Sequence, residues 1–77
     1  MAAMLTIQYD REGDILHIEK CLPYPEQETD EIAEEVFARL NPKTGDIENL
    51  EVLFFSARLE GSVPLELSVT ADLRKTS

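Results

Sequence analysis

The stretch TIQYDREGDILHIEK, residues 6–20, admits two readings, and the fold follows from the choice between them. Asp10, Glu12 and Asp14 crowd around Gly13, and the chain's one histidine, His17, comes just after. Such a cluster is either a set of ligands for a cation or a turn with a strand on each side. A calcium loop of the EF-hand type needs acids at its first, third and fifth positions, glycine at the sixth and glutamate at the twelfth. Counted from Asp10 the three acids fit, but the sixth residue is Ile15, the twelfth is Cys21, and the glycine arrives two places early. A turn explains more of the pattern. Asp favours the first position of a tight turn because its carboxylate accepts from N–H groups two residues on. Gly13 or Asp14 can adopt the left-handed backbone that lets the chain return. A four-residue loop, Arg11 to Asp14, sets Asp10 opposite Ile15, Tyr9 opposite Leu16 and Ile7 opposite Ile18. A three-residue loop would set Ile7 opposite His17, so the longer loop, which keeps apolar residues together, is expected. His17 then falls on the face opposite Leu16 and Ile18. It lies about 13 Å along an extended strand from Cys21, too far for a Cys–His pair, and reads as an exposed or interface side chain.

Outward from this hairpin, CLPYPEQETDE (21–31) carries two prolines and a growing excess of acid and reads as a loop. The next apolar positions are Ile32, Val36, Phe37, Ala38 and Leu40. A strand is expected from about Val36, with a helix over residues 29–38 as the alternative, because Ala, Glu, Arg and Leu favour helix. NPKTGD (41–46) has the residues of a hairpin turn. Leu50, Val52 and Phe54 make one face of the strand that follows, and Ile47, Leu53 and Phe55 the other, so both faces need cover. One helical turn is expected at Ser56 to Glu60. Leu65, Leu67, Val69, Ala71 and Leu73 then alternate with polar residues without a fault, the cleanest strand pattern in the chain.

The expected fold is mainly β, one small domain over residues 1–77. It is an antiparallel β-meander of about five strands with one short helix after the fourth; an α+β arrangement is the alternative. Leu5, Ile7, Tyr9, Leu16, Ile18, Val36, Leu50, Val52, Phe54 and Leu67 are the expected core. With 77 residues the core is small, and oligomerisation is a common remedy.

Composition removes several functions. Sixteen acidic residues against seven basic ones leave a net charge of −9, which repels phosphates, so no nucleic-acid partner is expected. A lone Cys21 excludes an internal disulfide and a multi-cysteine zinc site. The first residues lack the basic flank of a signal peptide, and the longest apolar run, Met1 to Leu5, is five residues, so no membrane segment and a cytoplasmic location are expected. The three glycines are isolated, and neither Ser56 nor Ser62 stands in a glycine-flanked elbow. No catalytic constellation is recognisable, no cofactor is expected, and the chain is not read as an enzyme.

YDREGDILHI (9–18) resembles the YDxExDxLYI opening of a small bacterial family, domain of unknown function 2283. TDEIAEEVFARLNPKTGDIENLEVL (29–53) is similar to that family's continuation: an acidic EI segment, a strand, a glycine turn and a GIEIL strand. The resemblance covers about residues 5–56. Tyr9, Asp10, Glu12, Asp14, Leu16, Ile18, Ile32, Val36, Gly45, Ile47, Leu50, Glu51 and Leu53 carry it. His17 stands where Tyr is usual, Glu35 and Asn49 where Gly is usual, and Phe54 and Phe55 where residues are smaller or polar. The Leu65–Leu73 strand pattern lies outside it. The resemblance implies a small β-rich domain and no activity.

The expected function is a protein-interaction module, most simply a homodimer burying Phe37, Leu53 and Phe55. One version is an antitoxin-like neutraliser of a basic protein, through the acidic residues between Glu26 and Glu35. The alternative is a metal- or small-ligand-binding protein using Asp10, Glu12, Asp14 and His17.

Overall fold

A computed structural model describes residues 4–61 and 63–76. Five strands, β1 (Thr6–Asp10), β2 (Ile15–Glu19), β3 (Glu28–Ala33), β4 (Val36–Leu40) and β5 (Ile47–Leu53), form one antiparallel sheet, and a single short helix, α1 (Phe55–Glu60), follows β5. The order across the sheet is β1-β2-β5-β4-β3. A two-stranded hairpin and a three-stranded meander are thus joined side by side, with β5 in the middle. The β1–β2 hairpin has the expected register: Asp10 opposite Ile15, Tyr9 opposite Leu16 and Ile7 opposite Ile18.

Cross-strand partners share a face, so the pairing defines the two sides of the sheet. One face carries the rows Tyr9–Leu16–Val52–Val36 and Ile7–Ile18–Leu50–Ala38. Its centre is closed: Val36 and Ala38 are fully buried and Val52 nearly so. The cover comes from the chain after β5. Phe55 at the start of α1 sets its ring 5.7 Å from that of Tyr9, and residues 69–74 lie along Leu5, Ile18 and Leu50. The opposite face is largely polar, with the row Gln8–His17–Glu51–Phe37 across its middle.

Two expectations about elements are corrected: the loop over residues 21–31, whose end belongs to β3, and the strand over residues 65–73. The strand expected from Val36 is β4, and the alternative helix over residues 29–38 does not form, because Glu34 and Glu35 make a turn between β3 and β4. β3, ETDEIA, has three charged residues in its six and is held by its ladder with β4 more than by intrinsic preference, as an edge strand can be. Residues 65–73, despite their alternation, form no strand in this chain, because no free sheet edge lies along their path over the apolar face. The core is accordingly narrower than expected. Val36 and Val52 are buried, Leu16, Ile18, Leu50 and Leu67 half-buried, and Leu5, Ile7, Tyr9 and Phe54 exposed.

Among the described residues three non-glycines have left-handed backbone: Asp14 (φ 55°), Glu35 (φ 61°) and Phe54 (φ 53°). All lie at one end of the sheet, where the two hairpins turn and β5 leaves for α1. The Leu53 N–H donates to the Glu35 carbonyl at 2.9 Å and the Phe55 N–H to the Asp14 carbonyl at 3.1 Å. Arg58 reaches the Glu34 carbonyl. The helix is therefore fastened to both hairpin turns. Strain at Glu35 has no evident return, since its side chain makes none of these bonds. Glu35→Gly is expected to raise stability by about 0.5–1 kcal/mol, the relief of the left-handed conformation less the extra freedom glycine gains on unfolding. Urea denaturation of the two proteins measures it.

Candidate functional site

The acidic turn is built as a fastening. Asp10 Oδ1 accepts from the N–H groups of Glu12 at 3.1 Å and Gly13 at 3.3 Å, the local turn bonds its side chain favours. Asp14 reaches further. Its Oδ1 accepts from the Tyr9 hydroxyl at 2.6 Å and the Ser56 N–H at 2.9 Å, and its Oδ2 accepts from the Ser56 hydroxyl at 2.6 Å. The hydroxyl of Ser56, then that of Tyr9, then the Ser56 amide hold the Asp14 carboxyl below its ordinary range. The start of α1 thus docks on the turn forty-two residues earlier in the chain.

Glu12 and His17 do not join Asp10 and Asp14. His17 lies mid-strand on the polar face, opposite Gln8 and Glu51, its Nδ1 4.0 Å from a Glu51 carboxylate oxygen. Glu51 also accepts from Arg39 Nε at 2.7 Å. Among the described residues no three His, Cys, Asp or Glu side chains are grouped to hold a metal ion. Nor is any helix there long and apolar enough to cross a membrane.

A second polar cluster fastens the crossover from β2 to β3. Asn49, 2% exposed near the start of β5, donates from Nδ2 to the Cys21 carbonyl at 2.6 Å and accepts at Oδ1 from Gln27 Nε2 at 2.6 Å. Glu48 accepts from the Tyr24 hydroxyl at 2.6 Å, from Gln27 Nε2 at 3.1 Å and from Asn41 Nδ2 at 3.3 Å. The bond to Glu48, followed by partial desolvation, pushes the Tyr24 phenol up to about 12, and the same bond, with that from Gln27, holds the Glu48 carboxyl down. Sequence reasoning missed this cluster, whose members are brought together only by the strand order.

These shifts give stability a pH profile. Asp14 and Glu48 have folded values below their unfolded ones, so their contribution is complete above the ordinary carboxylate range and is lost as pH falls through the lowered values. Tyr24, and Tyr9 through its bond to Asp14, are raised; their contribution is complete below the ordinary phenol value of 10.0 and is lost as pH rises through the raised values, about 12 for Tyr24. The melting temperature is expected to be level between about pH 5 and 10 and to fall on either side. Tyr24→Phe is expected to remove the later of two tyrosine steps in an ultraviolet pH titration and to flatten the alkaline fall.

Of the residues expected at an interface, Phe37 and Leu53 lie half-buried on the polar face, whereas Phe55 is the first residue of α1 and packs on Tyr9. The three do not form one surface, because the strand ends at Leu53 and the left-handed Phe54 redirects the chain. The more open surface is the outer edge of β1. All five of its residues are exposed, Ile7 at 64%, with Leu5 and Tyr9 on the same side and only Asp10 charged. At the other edge β3 presents Glu28, Asp30 and Glu31.

Comparison with known proteins gives one family. The model described as "Protein of unknown function (DUF2283)" matches residues 6–56, all five strands and the first two residues of α1, and ends before the alternating segment. No curated protein and no solved structure matches the chain.

Proposed function

The chain therefore belongs to the DUF2283 family, whose description names no activity, and we propose that it is a protein-interaction module that self-associates, as a homodimer, through the β1 edge. One observation carries this reading: a sheet edge left open along its whole length, with apolar Leu5, Ile7 and Tyr9 exposed on one side. An open strand edge presents unpaired N–H and C=O groups, and proteins ordinarily blunt it with charge, proline or a bulge. β3 is blunted by its acids and a bulge; β1 has no such device over Thr6–Tyr9. Addition of a strand there satisfies the backbone groups and buries apolar area that a core this small leaves in water.

Light scattering across a dilution series tests it. The wild-type mass is expected to approach two chains as concentration rises, and Ile7→Lys to stay at one chain with an unchanged far-ultraviolet spectrum. A wild-type mass of one chain up to the solubility limit would overturn the reading.

A second reading rests on the acidic edge. Glu28, Asp30 and Glu31, with a net charge of −9, favour a basic protein as a further partner, and a cytoplasmic location accords with the unpaired Cys21. A basic polypeptide recovered with the protein from its own cells, in a complex weakened by salt, is the result that reading expects.

A further inference from the structure

We infer that the strand seated on the β1 edge is residues 65–73 of a second copy, so that two chains exchange these segments. The inference rests on the self-association reading and names the segment that makes the contact. Among the described residues the sheet has two edges with no strand outside them, β1 and β3, and one strand-patterned segment, residues 65–73, without a ladder. Within residues 64–76 the described backbone makes a single backbone hydrogen bond, Val69 N–H to the Leu67 carbonyl at 3.0 Å, which spans only two residues and is not a ladder. In its own chain the segment covers the apolar face incompletely. It borders an open cavity of about 530 Å³ with Leu5, Ile18 and Leu50, and leaves Leu65, Val69 and Leu73 exposed.

The segment fits β1 better than β3. Its apolar side, Leu65 to Leu73, continues the side of Leu5, Ile7 and Tyr9, and its polar side continues that of Thr6 and Gln8. Against β3 its Glu66 and Asp72 would meet Glu28, Asp30 and Glu31. A second copy, rather than the same chain, is indicated by the path. The segment runs across the apolar face, past Ile47 and Leu50 on β5 and Leu5 just ahead of β1, and makes no ladder with β1, so its own β1 edge stays open. Pairing of β1 with β1 of a second copy would form one ladder and leave both segments unpaired. Exchange forms two ladders.

Adjacent residues of a strand point their N–H groups to opposite sides, so of Thr70→Pro and Ala71→Pro one removes a bond to β1 and the other does not. One of the two variants is expected to weaken the dimer about tenfold or more, the other to leave it within a few-fold, both with the wild-type spectrum. Equal dimer strength in both would overturn the exchange. Disulfide trapping in a Cys21→Ser background gives the second measurement. A chain with Gln8→Cys is unfolded and refolded with chains carrying Glu66→Cys, Ser68→Cys, Thr70→Cys or Asp72→Cys in turn, and one of these pairs is expected to form the mixed disulfide. A disulfide between two Gln8→Cys chains alone would overturn the exchange and leave self-association standing. A single-chain disulfide in the double variant, with a wild-type mass of one chain, would overturn both.

Discussion

Asn49→Ala is expected to lower the unfolding free energy by about 2–4 kcal/mol, more than the removal of any exposed polar side chain discussed above. The residue sits on the middle strand, almost wholly out of water, beneath the crossover that joins the hairpin to the meander. Its amide does two things at once: it donates to the Cys21 carbonyl and accepts from Gln27. Alanine makes neither bond, leaves the Cys21 carbonyl and the Gln27 amide without these partners, and leaves the crossover held by the bonds of Tyr24 and Gln27 to Glu48. Asn49→Asp keeps the acceptor but loses the donor and sets a second carboxylate beside Glu48, so it is expected to cost at least as much. Asn49→Gly, which restores the residue usual in the family pattern, should also destabilise, because the side chain is what fastens the crossover. Glu35→Gly, a change toward the same pattern, is expected to stabilise. Equilibrium urea curves on the four variants check the order, and an Asn49→Gly protein as stable as wild type would show that the crossover is held without this amide.

What could be read in advance follows from how local each cause is. The β1–β2 register was legible because loop length and alternation both act within ten residues of Gly13, and the Asn41–Asp46 turn and the helix after β5 were legible on the same grounds. β3 was not, since Glu28, Asp30 and Glu31 disfavour strand, Thr29 alone does not outweigh them, and the segment is extended because β4 lies beside it. The Tyr24–Gln27–Glu48–Asn49 cluster joins residues more than twenty positions apart, none apolar enough to mark a core. Residues 65–73 alternate as a strand does, but a period of two does not supply an edge to pair with, and within one chain no ladder forms and Leu65, Val69 and Leu73 stay exposed. Asp14 reads as a turn residue from its neighbours alone, whereas its hold on Ser56 follows only from the fold.

The widest gap between sequence and structure concerns the core, and it sets the second large effect. Ile7 and Val36 have equal claim in an alternating pattern, yet Val36 is fully buried between β5 and β3 while Ile7 stands at the open edge. Val36→Ala removes two methyl groups from a site walled by strands on both sides, where neighbours cannot collapse into the space, and is expected to cost about 2 kcal/mol. That cost should be the same at every protein concentration, because the site is internal to one chain. Ile7→Ala removes more carbon but from a side chain mostly in water, and in dilute protein should cost less than about 0.5 kcal/mol. At concentrations where two chains associate, the Ile7→Ala penalty is expected to grow, because the wild-type side chain is then buried and stability includes the association. Thermal melts of both variants over a wide concentration range separate the two behaviours. A Val36 effect that varied with concentration, or an Ile7 effect that stayed small throughout, would move the interface away from β1.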